Sequence, residues 1–249
     1  EDFRSLPPDL MPTDFDETYL AQDALMALYL AEDKTRRIGG YKVALTSQIM
    51  QEMLGVTSPA GGLIRADQIY SSGVTLPATN FVRLGVESEI AMRLDADLGN
   101  IGKPHDGDSV ASAVACCMAA IELIEDRNAT YAEADKRGTI LCGTADLSWN
   151  RGCVLGPEFT NWRDLDLRAA SAQMLINGEV VGEGKGEDVL GDPMTSLAWV
   201  ANHLLARGRS LKAGDIVMTG SVVRTNWLKA GDEMRTQFDV LGDAVLHVS

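Results

Sequence analysis

The spacing of apolar residues along the chain predicts two long helices. Residues 13–35 carry apolar side chains near the helical period, which predicts an amphipathic helix. Its apolar positions are Leu20, Ala24, Leu28 and Ala31. The second helix is predicted to begin at Asp192-Pro193, because aspartate caps a helix and proline fits its first turn, and to end at Gly208. Its buried stripe is predicted to consist of Leu197, Val200, Leu204 and Leu205.

From Leu84 onward the pattern changes to a period of two, which is typical of a half-buried strand. Alternate side chains of a strand point to the same face, so Glu87, Glu89 and Ala91 are predicted to share one face. The other face is predicted to carry Val86, Ser88 and Ile90. Two carboxylates are therefore expected to lie side by side.

Other segments predict further strands and one more helix. Strands are predicted at 41–45, 174–181, 215–219 and 233–248. Asn177-Gly178 is a signal for a two-residue hairpin turn, and the strand at 215–219 is predicted to run into Gly220 and end there. A helix capped by Asp108 is predicted to continue to Ile121, where the chain leaves it as a short strand.

Together these elements predict one folding unit of the α+β class. Strands outnumber helices after residue 80, and the 249 residues contain no internal repeat. We predict an N-terminal helical region, residues 1–70, packed on a β-rich catalytic domain, residues 71–249. The apolar fraction of 45% and the charged fraction of 23% are ordinary for a globular protein and allow a sizeable core.

The charge balance is strongly acidic. Lys and Arg total 22 against 36 for Asp and Glu, which gives a formal net charge of −14. A surface this negative repels nucleic acid and anionic membranes, so neither is expected as a partner. An anionic substrate would therefore need local positive charge from a metal ion or from a suitably placed Lys or Arg.

The cysteines indicate a reducing compartment. Cys116, Cys117, Cys142 and Cys153 form no C-x-x-C pair and no disulfide framework, so we expect buried, reduced thiols in a cytoplasmic protein. No secretory signal is visible, and the longest apolar run, residues 110–121, is too short to cross a bilayer.

The pair Glu87-x-Glu89 is the most informative candidate site. Its like charges repel, so a buried arrangement needs a cation, and hard carboxylate oxygens favour Mg²⁺, Mn²⁺ or Ca²⁺ over zinc. Glu122 lies in the apolar run 119–124, where an unpaired carboxylate would be costly, and it is the candidate third ligand. The alternative is a solvated strand face, with Glu122 at a helix end that faces solvent.

Several segments together resemble a known family. They include Gly40-Tyr41-Lys42, Glu87-Ser88-Glu89 and Thr219-Gly220-Ser221. The matching segments are 40–47, 54–56, 85–91, 121–127, 154–156, 177–179 and 211–221. They resemble, in the same order, the 2-keto-4-pentenoate hydratase and 4-oxalocrotonate decarboxylase branch of the fumarylacetoacetate hydrolase superfamily.

The resemblance implies a mixed β-roll or sandwich core, a Mg²⁺ or Mn²⁺ cofactor and three glutamate ligands, which fall on Glu87, Glu89 and Glu122. It also implies a small 2-oxo acid as substrate, a place in the catabolism of aromatic compounds, and a homo-oligomer. A 2-oxo acid can chelate a metal through its carboxylate and 2-oxo oxygens, and the metal then stabilises the enolate.

The resemblance also suggests residues that act beside the ligands. Lys42 is predicted to hold the substrate carboxylate or to shuttle the proton at C3, helped by a pKa that burial near a metal would lower. The alternative is a solvent-exposed strand lysine. Ser221 is the second predicted catalytic residue, and residues 219–221 form either an anion nest or a simple turn. The predicted substrate-binding residues are Thr46, Asp67, Thr219, Gly220 and Arg224.

The chain departs from the family pattern at two places. Leu147 follows Asp146 where relatives have asparagine, which removes a polar group, and Asp146 is itself a weaker candidate for the site. Residues 222–227 lack the proline-containing stretch of the hydratases and are predicted to be a loop at the distal end of the pocket. Arg224 in this loop binds a second substrate carboxylate or is a surface charge.

The predicted reaction is the addition of water to a 2-hydroxy-2,4-dienoate, through its 2-oxo-3-enoate tautomer, to give a 4-hydroxy-2-oxo acid. The alternatives are decarboxylation of a 4-oxalocrotonate-like 2-oxo diacid, C–C hydrolysis of an acylpyruvate, and a non-catalytic partner subunit. The chain lacks the Thr-Gly-Thr-Pro ending of the superfamily's hydrolases, which weighs against hydrolysis. Among the histidines, His203 lies in the predicted 192–208 helix and is expected to be structural.

Overall fold

Two β-sheets with helices packed against them make up the described part of the chain. The structure is a computed structural model, and it describes residues 1–47, 51–52, 55–130 and 136–249. The helices are α1 (Phe15–Glu32), α2 (Gly107–Ala111), α3 (Lys136–Ala145) and α4 (Pro193–Ala206). The strands are β1 (Ile38–Ala44), β2 (Ala60–Arg65), β3 (Ile69–Ser71), β4 (Val74–Leu76), β5 (Leu84–Leu94), β6 (Val114–Glu125), β7 (Asn150–Leu155), β8 (Ser171–Ile176), β9 (Glu179–Lys185), β10 (Ile216–Trp227), β11 (Glu233–Phe238) and β12 (Gly242–Val248).

The strand order defines a larger and a smaller sheet. The larger sheet has seven strands in the order β2-β1-β10-β5-β6-β7-β3, and the smaller has five in the order β4-β12-β11-β8-β9. β5 pairs antiparallel with β6 over its full length, from Leu84 opposite Glu125 to Leu94 opposite Val114. β1 runs parallel to β10, which is antiparallel to β5. This mixture of helices and sheets confirms the predicted α+β class.

The larger sheet curls so that its two ends approach each other. Lys42 on β1 and Glu122 on β6 are separated by β10 and β5, a span of about 14 Å across a flat sheet. Their charged atoms, Nζ and Oε1, are nevertheless 3.2 Å apart. A Cβ on Gly62 of β2 would lie only 2.4 Å from the carbonyl oxygen of Leu147, just before β7. Glycine at this position therefore permits the close approach on which the curl depends.

Apolar side chains fill both faces of the curled sheet. The inner face is packed by Ile64, Ala91, Cys116, Met118, Ala120, Cys153, Leu155, Ile216 and Met218. The outer face belongs to the main core, which includes residues of α4 and of the smaller sheet. Glu87 and Glu89 alternate with outward-pointing residues and share the side of Ala91, so they lie on the inner face. The apolar packing therefore forms a floor beside the two carboxylates.

Both long helices form where the apolar spacing predicts them. α1 follows Asp14 and α4 follows Asp192, and each aspartate side chain accepts a hydrogen bond from an amide in the first turn. The predicted residues Leu197, Val200 and Leu204 of α4 are buried. α1, by contrast, buries Thr18, Tyr19, Gln22 and Met26. The apolar stripe that identified α1 is on its exposed side.

The helix predicted from Asp108 to Ile121 is wrong. α2 is a short helix that Asp106 caps, and β6 begins at Val114. A continuous apolar run fits a strand buried on both faces as well as it fits a helix. Long-range pairing with β5 on one side and β7 on the other decides in favour of the strand.

β10 is longer than the sequence predicts. Gly220 does not end it, because the strand continues to Trp227 through three register shifts against β5. Residues 222–227 are therefore strand and not the predicted loop. The Asn177-Gly178 turn joins β8 to β9 as predicted, with both residues at positive φ, 54° and 83°. β11 and β12 form the predicted C-terminal pair of strands.

The first seventy residues supply strands as well as a helix. β1, β2 and β3 all belong to the larger sheet, so the helical character of this region rests on α1. The division of the chain at residue 70 stays a prediction. All four cysteines are free and buried, as predicted. No helix in the described ranges is long and apolar enough to cross a membrane.

α1 and α4 meet at a stack of rings around His203. The ring of His203 lies 4.5 Å from that of Tyr19 on α1 and 4.9 Å from that of Trp199, with an interplanar angle of 8° to the tryptophan. Burial, followed by the charge of Arg207, lowers the pKa of His203 to about 4. His203 is therefore a neutral, packed residue near pH 7.

We predict that His203 makes the protein less stable as the pH falls. The unfolded histidine binds a proton near pH 6.5, whereas the folded one resists it down to about pH 4, so the free energy of unfolding decreases between these values. His203→Phe keeps a stacked ring and should flatten this decrease, measured by urea unfolding at several pH values. His247→Gln, at a more exposed position, is the control. An unchanged pH slope in His203→Phe would contradict the prediction.

Candidate metal centre

Three glutamates from two neighbouring strands meet on the inner face of the curled sheet. Glu87 and Glu89 lie two residues apart on β5 and point the same way, as the strand period predicts. Glu122 on β6 is the register partner of Glu87. One carboxylate oxygen from each residue lies within 4.8 Å of the other two, and Glu89 and Glu122 are fully buried. The structure therefore brings together the three acids that the sequence singles out.

These carboxylates resist being ionised together. Burial, followed by the charge of Glu122, raises the pKa of Glu87 to about 7. Burial and the charges of Glu122 and Glu87 raise the pKa of Glu89 well above its ordinary value. Two such charges within 4.8 Å of each other repel by about 3 kcal/mol at an effective dielectric constant of about 20. Full ionisation of the cluster therefore needs positive charge beside it.

Lys42 supplies part of that charge. It is buried rather than exposed to solvent, and its Nζ lies 3.2 Å from Oε1 of Glu122. Burial lowers the pKa of Lys42, but the charges of Glu122, Glu87 and Glu89 outweigh it, so the pKa is raised. The raised pKa reflects three carboxylates facing one ammonium group, and a lowered pKa beside a bound metal stays a prediction.

Three hydrogen bonds orient the carboxylates. The amide of Gly220 donates to Oε2 of Glu89 over 2.8 Å. Asn150 Nδ2 donates to Oε1 of Glu122, also over 2.8 Å. The hydroxyl of Thr225 donates to Oε1 of Glu87. Each glutamate is thus held by one donor from β7 or β10, which limits its rotation.

Asn150 and Thr225 were missed by sequence reasoning. Register shifts between Ser221 and Asn226 mean that counting along β10 does not place Thr225 beside Glu87. Asn150 reaches Glu122 only because β7 pairs with β6, which is a long-range contact. The one local signal for Asn150 is a polar residue at the start of an otherwise apolar strand.

Two oxygens of the cluster have no hydrogen-bond partner among the described residues. They are Oε1 of Glu89 and Oε2 of Glu122, and both are buried. A buried acceptor without a donor is costly, and a bound cation removes that cost. Carboxylate oxygens are hard ligands that suit Mg²⁺ and Mn²⁺, so the residues present fit a divalent ion.

The predicted anion nest at residues 219–221 is already engaged within the protein. The Thr219 hydroxyl donates to the Ile90 carbonyl over 2.8 Å, and the Ser221 hydroxyl donates to the Val223 carbonyl. Gly220 has a φ of 116°, and a Cβ there would lie 2.6 Å from Cγ2 of Thr46. These contacts make the segment a support for the Glu89 carboxylate. Direct roles for these residues toward a substrate stay predictions.

The two remaining predicted substrate-binding residues differ in position. Arg224 is exposed on β10, one residue before Thr225, whose hydroxyl donates to Glu87. Asp67 lies on the turn between β2 and β3, is 42% exposed, and pairs with Arg65 at 2.5 Å and Arg36 at 3.9 Å. The hydrogen bond from Arg65 lowers the pKa of Asp67. These contacts give Asp67 a surface role and no link to the cluster among the described residues.

A strained turn leads into the site. Residues 147–149 all have φ between 53° and 58°, a left-handed conformation that costs about 1–2 kcal/mol per residue. The turn ends at Asn150, which holds Glu122, and strain of this kind is concentrated at functional sites. Ile124 follows Glu122 by two residues on the same face of β6. An apolar cluster of Phe3, Ile124, Ala129 and Trp149 therefore borders the glutamate end of the sheet.

Basic side chains lie at the same end of the sheet. β5 and β7 begin where β6 and β10 end, as their registers show. Arg83, Arg127 and Arg151 lie within two residues of these strand ends, and Arg224 lies three residues before the end of β10. Asp126 pairs with Arg83 at 3.7 Å, and Asp146 pairs with Arg127 at 2.6 Å and with Arg151 at 3.1 Å. Arg224 has no ion pair within the described ranges, which leaves it available to an anion.

Known proteins share this sequence and architecture. The profile of the family described as fumarylacetoacetate (FAA) hydrolase C-terminal matches residues 48–249. A 2-keto-4-pentenoate hydratase of Burkholderia vietnamiensis (strain G4 / LMG 22486) is 33% identical over 213 residues, 86% of this chain and 79% of that protein. A 4-oxalocrotonate decarboxylase of Pseudomonas putida is 30% identical over 211 residues, 85% of this chain and 77% of that protein.

The structure of 4-oxalocrotonate decarboxylase from Pseudomonas putida G7, complexed with magnesium and adipate, has a TM-score of 0.89 at 25% identity. The match covers 100% of this chain and 91% of that one.

We predict that Glu87→Gln or Glu122→Gln abolishes the binding of Mn²⁺. Each substitution removes one of three anionic ligands while nearly preserving the side-chain volume. Isothermal titration calorimetry with Mn²⁺ measures the loss. Glu158→Gln is the matched control, because Glu158 pairs with Arg93 at the surface. Unchanged affinity in Glu122→Gln would remove that residue from the ligand set.

Asn150→Ala is expected to weaken Mn²⁺ binding without removing a ligand. Loss of a hydrogen bond that orients a ligand reduces metal affinity by about 10–100-fold. Asn226→Ala is the control on β10, since its side chain contacts Met174 and the Arg224 carbonyl and no glutamate of the cluster. Equal affinities in the two variants would show that the Asn150 contact does not position Glu122.

Proposed function

The chain belongs to the fumarylacetoacetate hydrolase family, and on this premise we propose that it is a metal-dependent hydro-lyase. It adds water to a 2-hydroxy-2,4-dienoate, through the 2-oxo-3-enoate tautomer, to give a 4-hydroxy-2-oxo acid. In the addition, C4 gains the hydroxyl and C3 gains the proton. The names of relatives such as the 2-keto-4-pentenoate hydratase support this reaction.

One observation supports the proposal most strongly. Three carboxylates, two of them fully buried, lie beside one buried lysine, and two of their oxygens have no donor among the described residues. Such a cluster is unstable unless a divalent cation completes it. When bound there, Mg²⁺ or Mn²⁺ supplies Lewis-acid stabilisation of the negative charge that develops on the 2-oxo group.

The side chains of the site have separate proposed roles in the reaction. Glu87, Glu89 and Glu122 hold the ion, and the Gly220 amide keeps Glu89 in place. Lys42 is protonated beside Glu122, so it can hold the substrate carboxylate or deliver the proton that C3 receives. Ser221 assists only after its hydroxyl leaves the Val223 carbonyl. We propose that Thr46, whose side chain lies next to Gly220, contacts the substrate.

A second reaction has specific support. Decarboxylation of a 4-oxalocrotonate-like diacid uses the same metal and the same stabilised charge, but its substrate carries a second carboxylate. Arg224 is exposed near the cluster without an ion pair in the described ranges, and it can bind that group. The likeness to a decarboxylase complexed with magnesium and adipate, a diacid, agrees with this reading.

The assembly and location of the protein are part of the same proposal. We propose a homo-oligomer in the cytoplasm that acts in the catabolism of aromatic compounds. Four free, buried cysteines fit a reducing compartment. Exposed leucines on α1 fit a chain that associates with a copy of itself.

Lys42→Met is predicted to reduce kcat by about 10²–10⁴-fold, because it removes the proton donor or carboxylate partner. Mn²⁺ binding should persist, since all three carboxylates remain. Steady-state kinetics and Mn²⁺ titration of the same sample separate the two effects. Lys229→Met, at an exposed position, is the control. A near-normal kcat in Lys42→Met would demote Lys42 to a structural residue.

A paired assay distinguishes the two reactions. The Mg²⁺- or Mn²⁺-loaded protein is incubated with 2-hydroxypentadienoate, to follow hydration, and with oxalocrotonate, to follow release of CO₂. We expect turnover of the dienoate, and Arg224→Ala should leave its KM unchanged. Release of CO₂ with an Arg224-dependent KM would establish the decarboxylase instead. Turnover of acylpyruvate alone, or of no substrate, would contradict both and favour a hydrolase or a non-catalytic subunit.

A further inference from the structure

α1 carries apolar side chains on its exposed side as well as on its packed side, which also buries Thr18 and Gln22. One side, with Tyr19 and Met26, packs against the rest of the chain. The other side is exposed. With about 100° between successive residues, it comprises the residues that lie within about 60° of Ala24 around the helix axis. Its members are Glu17, Leu20, Ala21, Ala24, Ala27, Leu28 and Ala31, which we call the outer stripe. Leu20 is 67% exposed and Leu28 is 66% exposed.

The outer stripe has the character of a covered surface. A contiguous exposed apolar patch, especially one rimmed by polar residues, commonly marks an interaction surface. Here six of seven stripe positions are apolar, and Asp16, Asp23 and Glu32 border them. The two leucines lie four residues before and four residues after Ala24, so the stripe is nearly symmetric about that residue.

We infer that the outer stripe packs against the same stripe of a second copy, with the two α1 helices antiparallel about a two-fold axis near Ala24. A two-fold contact joins a surface to itself and therefore requires a self-complementary patch. In this arrangement Leu20 of one copy meets Leu28 of the other, and the alanines allow the helices to approach closely.

The charges at the two ends of α1 select the second copy and its direction. The N-terminal end is acidic, with Asp14, Asp16 and Glu17, and α1 itself contains no Lys or Arg. The segment that follows its C-terminal end carries Lys34, Arg36 and Arg37 against one acid, Asp33, so its net charge is positive. Antiparallel packing places each acidic end beside the partner's basic segment, whereas parallel packing places like charges together.

Glu32 does not disturb this pairing. In the antiparallel arrangement it faces Asp16 of the partner subunit, which by itself would be unfavourable. Its carboxylate already pairs with Arg36 at 2.8 Å, and this pairing offsets its charge. The inferred interface rests on the proposed homo-oligomer and specifies which surface forms it. It does not depend on the proposed reaction.

Cysteine cross-linking tests the two-fold axis. The native cysteines are all buried, so a single exposed thiol reports only on its own position. Ala24→Cys places two thiols across the axis, and mild oxidation should convert the protein to a disulfide-linked dimer on a non-reducing gel. Leu20→Cys should not cross-link, because its two copies lie about 12 Å apart along antiparallel helices. Cross-linking of Leu20→Cys but not of Ala24→Cys would overturn the arrangement.

The molecular mass in solution tests whether a second copy of the chain covers the outer stripe. The wild-type chain should be at least dimeric by light scattering, and Leu20→Glu combined with Leu28→Glu should weaken the association by about tenfold or more. Ile101→Glu, at a 49%-exposed loop residue, is the matched control and should have no effect. A monomeric wild-type chain, or an unchanged mass in the double variant with a native circular dichroism spectrum, would overturn the inference. If the double variant does not fold, the cross-linking result decides. Mn²⁺ binding by the double variant separates a failure of this interface from a failure of the proposed chemistry.

Discussion

The central physical constraint on this site is the electrostatic repulsion among three carboxylates on the inner face of the curled sheet. One lysine does not balance Glu87, Glu89 and Glu122, and the imbalance appears as raised pKa values and as two oxygens without donors among the described residues. The same repulsion favours a divalent cation, because its double charge offsets the carboxylates and hard oxygens suit such an ion. The feature that destabilises the protein alone is therefore the feature that a bound divalent cation would relieve.

The fold provides this cluster through strand pairing and curvature. Pairing of β5 with β6 sets Glu122 opposite Glu87, and the curl of the sheet brings Lys42 across two intervening strands. The apolar inner face lies beside the carboxylates and keeps water from that side. The left-handed turn at residues 147–149 leads into Asn150, which donates to Glu122. The backbone strain of the turn is therefore linked to the position of the Glu122 carboxylate.

Local patterns predicted part of this site, and long-range contacts account for the rest. The period of β5 placed Glu87 and Glu89 on one face without any knowledge of partners. Glu122 was a candidate from its apolar setting but leaned more on family resemblance, because its strand is apolar on both faces and has no period. The same property led to the wrong helix before it. The raised pKa of Lys42 follows from the curl, which no local signal encodes. Thr225 escaped prediction because bulges in β10 break the count along the strand.

The dependence of thermal stability on Mn²⁺ tests the central claim most directly. If a cation relieves the repulsion, the wild-type unfolding midpoint should rise by about 5–10 °C at a Mn²⁺ concentration about 100 times Kd. Glu89→Gln removes one buried like charge, so it should be at least as stable as the wild type without metal and should lose the Mn²⁺-dependent rise. A wild-type midpoint that does not respond to Mn²⁺, or a Glu89→Gln variant that keeps the full response, would contradict the account.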